Sequence, residues 1–178
     1  FILTAVLSSL RWGELVGLRR RALDLDNGLV HVRRAMVERG GQLDIALPKN
    51  GKTRVVAVPA VLVEELRAHL ATVPIDPNAS VFVGERRGTP RRGNWRANVR
   101  WSTAVASAGL PDGFHLHDLR HTGNHLASQT GASTRELMQR MGHSTLRAAL
   151  IYQHATDARS RELADRLNDL VRRQRGAR

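Results

Sequence analysis

The spacing of the apolar residues changes twice along this chain, and that change restricts the fold more than any single residue does. In FILTAVLSSLRWGELVGL, residues Leu3, Val6, Leu7, Leu10, Leu15 and Leu18 recur at mixed three- and four-residue intervals, which is the periodicity of one or two packed helices with a break or a second start near Gly13. From GLVHVRRAMV through QLDIAL to TRVVAVP the interval falls to two, with Gly40-Gly41 and Asn50-Gly51 as turns. That pattern predicts three antiparallel strands. The helical interval then returns in PAVLVEELRAHLATV, directly after Pro59. A strand block enclosed by helical runs predicts an α+β fold, a mainly helical body with a small three-stranded antiparallel sheet at one side.

Beyond the sheet, SVFVG reads as a short strand or extended segment, and a helix is predicted from about Asn94 to Ala108, ended by Gly109 and LPDG. Three short helical units follow, HDLRHTGNHLASQT, STRELMQRMG and STLRAALIYQH. Ser133 with Glu136 three residues later has the form of a capping box. The final stretch, 157–178, contains an amphipathic stripe at Leu163, Leu167, Leu170 and Val171 and ends in the basic tail RRQRGAR. At 178 residues the expectation is one globular domain over 1–178. The chain begins without Met, inside a helical pattern, as a piece cut from a longer protein would.

Its 28 Lys and Arg against 16 Asp and Glu leave a formal charge of +12, for which the matching counter-charge is a polyphosphate backbone. No apolar run reaches the ~20 residues of a membrane span, and no basic region precedes the opening apolar stretch as in a secretory signal. A soluble intracellular protein, not associated with membrane, is expected. Cysteine is absent, which excludes disulfides and thiolate metal sites. Only two of the basic residues are lysines, Lys49 and Lys52, both in PKNGKTR, and the chain has a single tyrosine, Tyr152.

In HDLRH, His117 and Arg120 are three apart and share a helix face. Alone, so short a pattern is common by chance and fits an ordinary helix start with Asp118 near the positive dipole end. His117, His121 and His125 recur at four-residue spacing, but a hydrolytic zinc would need further ligands and a carboxylate base, and no HExxH is present.

The order of the pieces adds what each lacks: RWGELVGL with Arg11, a strand-turn-strand with PKNGKTR, then HDLRHT, MGHST and IYQH. This succession resembles the catalytic domain of the tyrosine recombinases, the phage-integrase family of site-specific DNA recombinases. That pattern is an Arg in R-x-x-E-L-x-x-L, a Lys on a β-turn, H-x-x-R, a Gly-His, and a nucleophilic Tyr nine residues past that His. Here His143 lies 23 positions after Arg120, and Tyr152 nine after His143. The resemblance makes Arg11 the first arginine, Lys49 the β-turn lysine, His117 and Arg120 the H-x-x-R pair, His143 the third basic site and Tyr152 the nucleophile. The stretch from Arg11 to Lys49 is long for the pattern, which implies an extended hairpin or extra strand around RRAMVERGGQLD and leaves Lys52 as an alternative to Lys49.

Such a constellation suits attack on a phosphodiester. Two guanidiniums hold the non-bridging oxygens in fixed bidentate geometry, a histidine adds a donor, and a phenol with a reference pKa of about 10 must lose its proton to attack. His117 is then the candidate acceptor, or a further phosphate donor, and the lysine the general acid for the 5′ oxygen. No cofactor and no metal are predicted, since the cationic cluster replaces them. The expected partner is double-stranded DNA, with a homotetramer on DNA and a monomer without it. The family's preceding DNA-clamping domain, a small helical bundle, is absent from the sequence. A type IB topoisomerase-like strand transferase and a non-catalytic DNA-binding module on the same fold are the alternatives.

Of the remaining basic residues, Arg91, Arg92, Arg96 and Arg100 are assigned to DNA phosphates, with 92, 96 and 100 as a four-spaced helical stripe. Glu14 either orients Arg11 or forms an inconsequential exposed pair. His115, His121 and His125 read as packing or capping groups, and Trp95 and Trp101 as core or interface.

Overall fold

The computed structural model describes residues 1–49 and 51–142. The opening helical run is two helices, α1 (Ile2–Ser8) and α2 (Trp12–Val16). The break lies before Gly13, at Ser9, whose left-handed conformation (φ 53°) ends α1. Gly13 sits inside α2 because the helix runs against the strand that follows. A Cβ there would meet the Met36 carbonyl oxygen at 2.4 Å.

The strand block contains more elements than its period suggests. Short strand β1 (Leu23–Asp24), β2 (Leu29–Val32), β3 (Ala35–Arg39), β4 (Gln42–Ala46) and β5 (Arg54–Ala57) form two antiparallel units, a three-stranded sheet ordered β1-β2-β5 and a separate β3-β4 hairpin. GLVHVRRAMV is therefore not one strand. It divides at Arg33-Arg34, so that β2 pairs with β5 (Val30 opposite Val56) while β3 turns back on β4 (Ala35 opposite Ala46). The implied extra hairpin around RRAMVERGGQLD is this β3-β4 unit. Alternation places Val30, Val32 and Val56 in the core. They join Leu62, Leu66 and Leu70 of α3 (Ala60–Leu70) and Leu10, Leu15 and Leu18 from the N-terminal segment in one buried cluster. SVFVG contributes an extended segment with an isolated bridge between Arg19 and Ser80.

The helix expected over 94–108 is two helices, α4 (Arg92–Asn98) and α5 (Trp101–Ser107), interrupted at Arg100, whose φ of 47° is left-handed. A residue in that conformation cannot continue an α-helix. Two aromatic residues explain why the break is tolerated. Trp95 and Trp101, their ring centroids 5.7 Å apart, lie in one chain of ring contacts with Phe1, Trp12, Phe82 and Phe114, so packing dictates where each short helix ends. Trp101 Nε1–H donates to the Phe114 carbonyl at 2.9 Å.

α6 (Leu116–Gln129) and α7 (Thr134–Met141) complete the described residues. The capping box expected at Ser133 is present: Glu136 N–H donates to Ser133 Oγ at 3.3 Å, and Ser133 N–H donates to the Glu136 carboxylate at 2.7 Å. α6 crosses α1 at Gly123, where a Cβ would stand 1.8 Å from the Val6 carbonyl oxygen. Only glycine permits that approach. Among the described residues no helix is long and apolar enough to cross a membrane.

Candidate active site

The close α1–α6 crossing decides where Arg120 goes. Leu116 and Leu119 face the core on the same side of α6, and Arg120 follows them inward to 2% exposure. Burying a guanidinium requires hydrogen-bond acceptors for its N–H groups. Arg120 donates to the Ser9 carbonyl, exposed by the left-handed turn after α1, and to the Met141 carbonyl at 2.5 Å.

Arg11 reaches the same place from the other side. It is the N-cap of α2, and Glu14 one turn on is 1% exposed, so the pair is an internal contact rather than a solvated one. Glu14 accepts the Arg11 backbone N–H at 2.8 Å and its Nη1 at 3.0 Å, while Arg11 Nη2 donates to the Gly142 carbonyl at 3.3 Å. A second arginine, Arg54 of β5, holds Glu14 bidentately, Nη1 to Oε1 at 2.8 Å and Nη2 to Oε2 at 2.7 Å. Its Nε–H donates to the Arg140 carbonyl at 2.9 Å. Burial pushes the Glu14 carboxyl pKa upward, but the hydrogen bonds and charges of Arg54 and Arg11 outweigh it and hold the pKa below the usual value. Arg54 has no place in the sequence pattern above. The one signal for it was its register: it shares an inward-facing strand position with Val56, where a charged residue needs a reason.

Three arginines from distant segments thus donate to three successive carbonyls: Arg54 to Arg140, Arg120 to Met141 and Arg11 to Gly142. The last carbonyls of a helix have no intrahelical donors and carry the negative end of its dipole, so the terminus of α7 is a natural anchor for cations. Gly142 closes it in a left-handed conformation (φ 63°), where a Cβ would also press on the Arg54 guanidinium at 3.2 Å. Arg140 itself points away, donating to the Ala57 and Leu7 carbonyls and so tying α7 to β5 and α1.

His117 lies one turn before Arg120 on α6 and lines a narrow crevice with Leu10, Trp12, Arg92 and Arg120. Its side chain is solvent-accessible, yet partial desolvation, then the neighbouring His121, then the Arg120 charge hold its pKa below the ordinary imidazole value. The shift favours the neutral imidazole, in which a ring nitrogen can accept a proton. His121 packs edge-on against it with centroids 4.8 Å apart, and His115 is the N-cap of α6, its N–H donating to Asp118 at 2.6 Å. Among the described residues no cluster of three or more His, Asp or Glu is arranged to hold a metal ion.

The other predicted positions are placed as follows. Lys49 and Lys52 are both exposed on the segment joining β4 to β5, where Gly51 N–H closes a turn on the Pro48 carbonyl. Arg92 stands over Trp12, its guanidinium carbon 5.8 Å from the ring centroid. Arg91 is engaged with the β3-β4 hairpin, donating to the Glu38 carboxylate and to the Gly41 carbonyl at 2.7 Å. Arg96 is exposed on α4, but Arg100 falls in the break after it, so the expected stripe of 92, 96 and 100 is not a continuous helical row. Asn50, His143, Tyr152 and the helix and tail expected over 157–178 lie outside the described residues.

Comparison with known proteins gives a consistent result. The phage integrase family profile matches residues 1–159. The prophage phiRv2 integrase of Mycobacterium tuberculosis is 38% identical over 177 residues, covering 98% of this chain and 47% of that protein. The integrase of Mycobacterium phage L5 is 33% identical over 174 residues, covering 93% of this chain and 45% of its own length. The chain thus spans about half the length of these relatives. Among solved structures, the Tn1549 transposon integrase in complex with transposon right end DNA superposes with a TM-score of 0.77 at 22% identity, over 94% of this chain and 57% of that one. The XerA recombinase superposes with a TM-score of 0.66 at 25% identity, over 92% and 55%. The α+β architecture described above is that of the tyrosine recombinase catalytic domain.

Proposed function

We infer the activity from a premise the family match establishes: the chain belongs to the phage integrase family. It is the catalytic domain of a site-specific DNA recombinase that cuts and rejoins double-stranded DNA through a 3′-phosphotyrosine intermediate. The observation that carries this reading is that Arg11 from the start of α2 and Arg120 from α6 meet on successive carbonyls at the end of α7, with His117 one turn before Arg120 and within the field of both charges.

In this reading the guanidiniums of Arg11 and Arg120 hold the non-bridging oxygens of the scissile phosphate, and His143 adds a third donor. The Tyr152 oxygen attacks phosphorus and its proton passes to neutral His117. The bond from phosphorus to the 5′ oxygen breaks, and Lys49 protonates the departing oxygen. A free 5′ hydroxyl of a second duplex reverses the step, so rejoining needs no external energy source. Fixed donors around the phosphate favour the extra negative charge of the pentacoordinate transition state over the ground state. A homotetramer assembled on two duplexes is the working unit, and soluble cytoplasmic expression is expected.

The test is a nicked duplex carrying the cognate site, incubated with the full-length protein in EDTA and run on a denaturing gel. A covalent protein–DNA band is expected, and it is lost in Tyr152→Phe. Duplex binding without an adduct in the wild type would leave a non-catalytic binding module instead. On a substrate with a 5′-bridging phosphorothiolate, whose leaving group needs no proton, Lys49→Ala recovers cleavage and Arg120→Ala does not. Recovery in Lys52→Ala alone moves the general acid three residues along.

A further inference from the structure

We propose that Arg54 is a positioning residue for strand cleavage: through the Glu14 carboxylate and the Arg140 carbonyl it sets the Arg11 guanidinium in register with the end of α7. The proposal rests on the recombinase reading above, in which Arg11 holds phosphate.

The geometry that leads there is the sharing of one carboxylate. Glu14 Oε1 accepts from both Arg11 Nη1 (3.0 Å) and Arg54 Nη1 (2.8 Å), and Oε2 accepts from the Arg11 backbone N–H (2.8 Å) and Arg54 Nη2 (2.7 Å). Every contact that fixes Arg11 from below therefore runs through a group whose own position is dictated by Arg54. Rotation of the carboxylate would break two bonds to Arg54, and the fork geometry of guanidinium resists it. The remaining edge of Arg54 binds the Arg140 carbonyl, two residues before the Gly142 carbonyl that receives Arg11 Nη2. Arg54 thus bridges the two ends of the Arg11 side chain's contacts. All three nitrogens of Arg54 are committed, Nη1 and Nη2 to Glu14 and Nε to the Arg140 carbonyl, so it acts through Arg11.

Removing Arg54 leaves Glu14 with burial as the largest influence, and burial raises a carboxyl pKa. In the wild type the depressed pKa keeps Glu14 ionised below the ordinary carboxylate range. Without Arg54 its pKa rises, and it protonates at a higher pH than in the wild type. A neutral Glu14 no longer directs Arg11. The groups facing Glu14 are Arg11 on its own helix, Arg54 from β5, and, across the cavity of about 290 Å³ beside it, Arg19, Arg21, His31, Arg33 and Arg34.

The experiment measures single-turnover adduct formation and duplex affinity for the full-length Arg54→Gln protein between pH 5 and 8. The expected result is a cleavage rate roughly 10²-fold lower, the scale of a small misplacement at a reacting centre, with the duplex Kd within about threefold of wild type, since Arg54 makes no DNA contact. The acid limb of the rate profile moves to higher pH. Arg54→Lys, which retains the charge but not the fork, covers the case in which the Gln variant is unstable; it shows a smaller rate loss at the same unchanged Kd. Wild-type rates in either folded variant overturn the proposal, as does a rate loss with an unmoved acid limb or one mirrored in Kd. Failure of the wild type to form any adduct overturns the recombinase reading instead, which separates the two.

Discussion

The arginines at the end of α7 and those on the surface around α4 carry the same charge and are held in opposite ways. Arg120, Arg54 and Arg11 are buried or half-buried, and each N–H direction described ends on a carbonyl or on Glu14. Arg86, Arg87, Arg96 and Arg100 are exposed. Burying a guanidinium costs desolvation that only well-placed acceptors offset, and the result is a cation with one orientation. An exposed arginine keeps its hydration and its rotamers, attracting a polyanion without fixing its geometry. In the recombinase reading proposed above, one set discriminates among arrangements of a single phosphate and the other supplies affinity.

The sharpest way to break that distinction is Arg120→Lys. Lysine keeps the charge but cannot span Ser9 and Met141 with one planar group, so adduct formation falls by about 10² to 10³, the scale for losing one preorganised donor. A loss below tenfold in a single-turnover assay would mean charge alone suffices at this position. Next comes the backbone crossing that drives Arg120 inward. Gly123→Ala forces α6 off Val6 and lowers unfolding stability by about 1–3 kcal/mol, read by urea denaturation. An unchanged midpoint would show that the crossing relaxes freely and does not constrain the arginine. The smallest effect is on the surface set. Arg96→Ala reduces the slope of log K against log salt for duplex binding by about 0.9 if it contacts one phosphate. Arg91→Ala changes that slope less, because its guanidinium is already committed to Glu38 and Gly41. Equal slopes for the two would erase the contrast.

Some of this was legible in the letters. The periods of 3.6 and 2 located the helices and the sheet, because a segment with one buried face must repeat its apolar residues at the period of its own backbone. Ser133-x-x-Glu136 predicted its own cap for a similar reason, since both partners lie within one turn. The split at Arg100 was not legible. The helical spacing of 92, 96 and 100 is intact in the sequence, and the interruption arises from ring packing of Trp95 and Trp101 against residues as remote as Phe1. The division of GLVHVRRAMV into two strands has the same character, because β2 and β3 find different partners.

By itself, then, the sequence determined everything that depends on short separations along the chain: the element types, the cap, the ordered set of candidate residues and the surplus of positive charge. Only the tertiary structure decided which cations stand together. Arg11 and Arg54 meet on one buried carboxylate, and Arg54, Arg120 and Arg11 meet on three successive carbonyls of a helix terminus. Such a meeting depends on how closely α1 and α6 approach and on which strand lies beside α2, and both are consequences of packing between segments far apart in the chain.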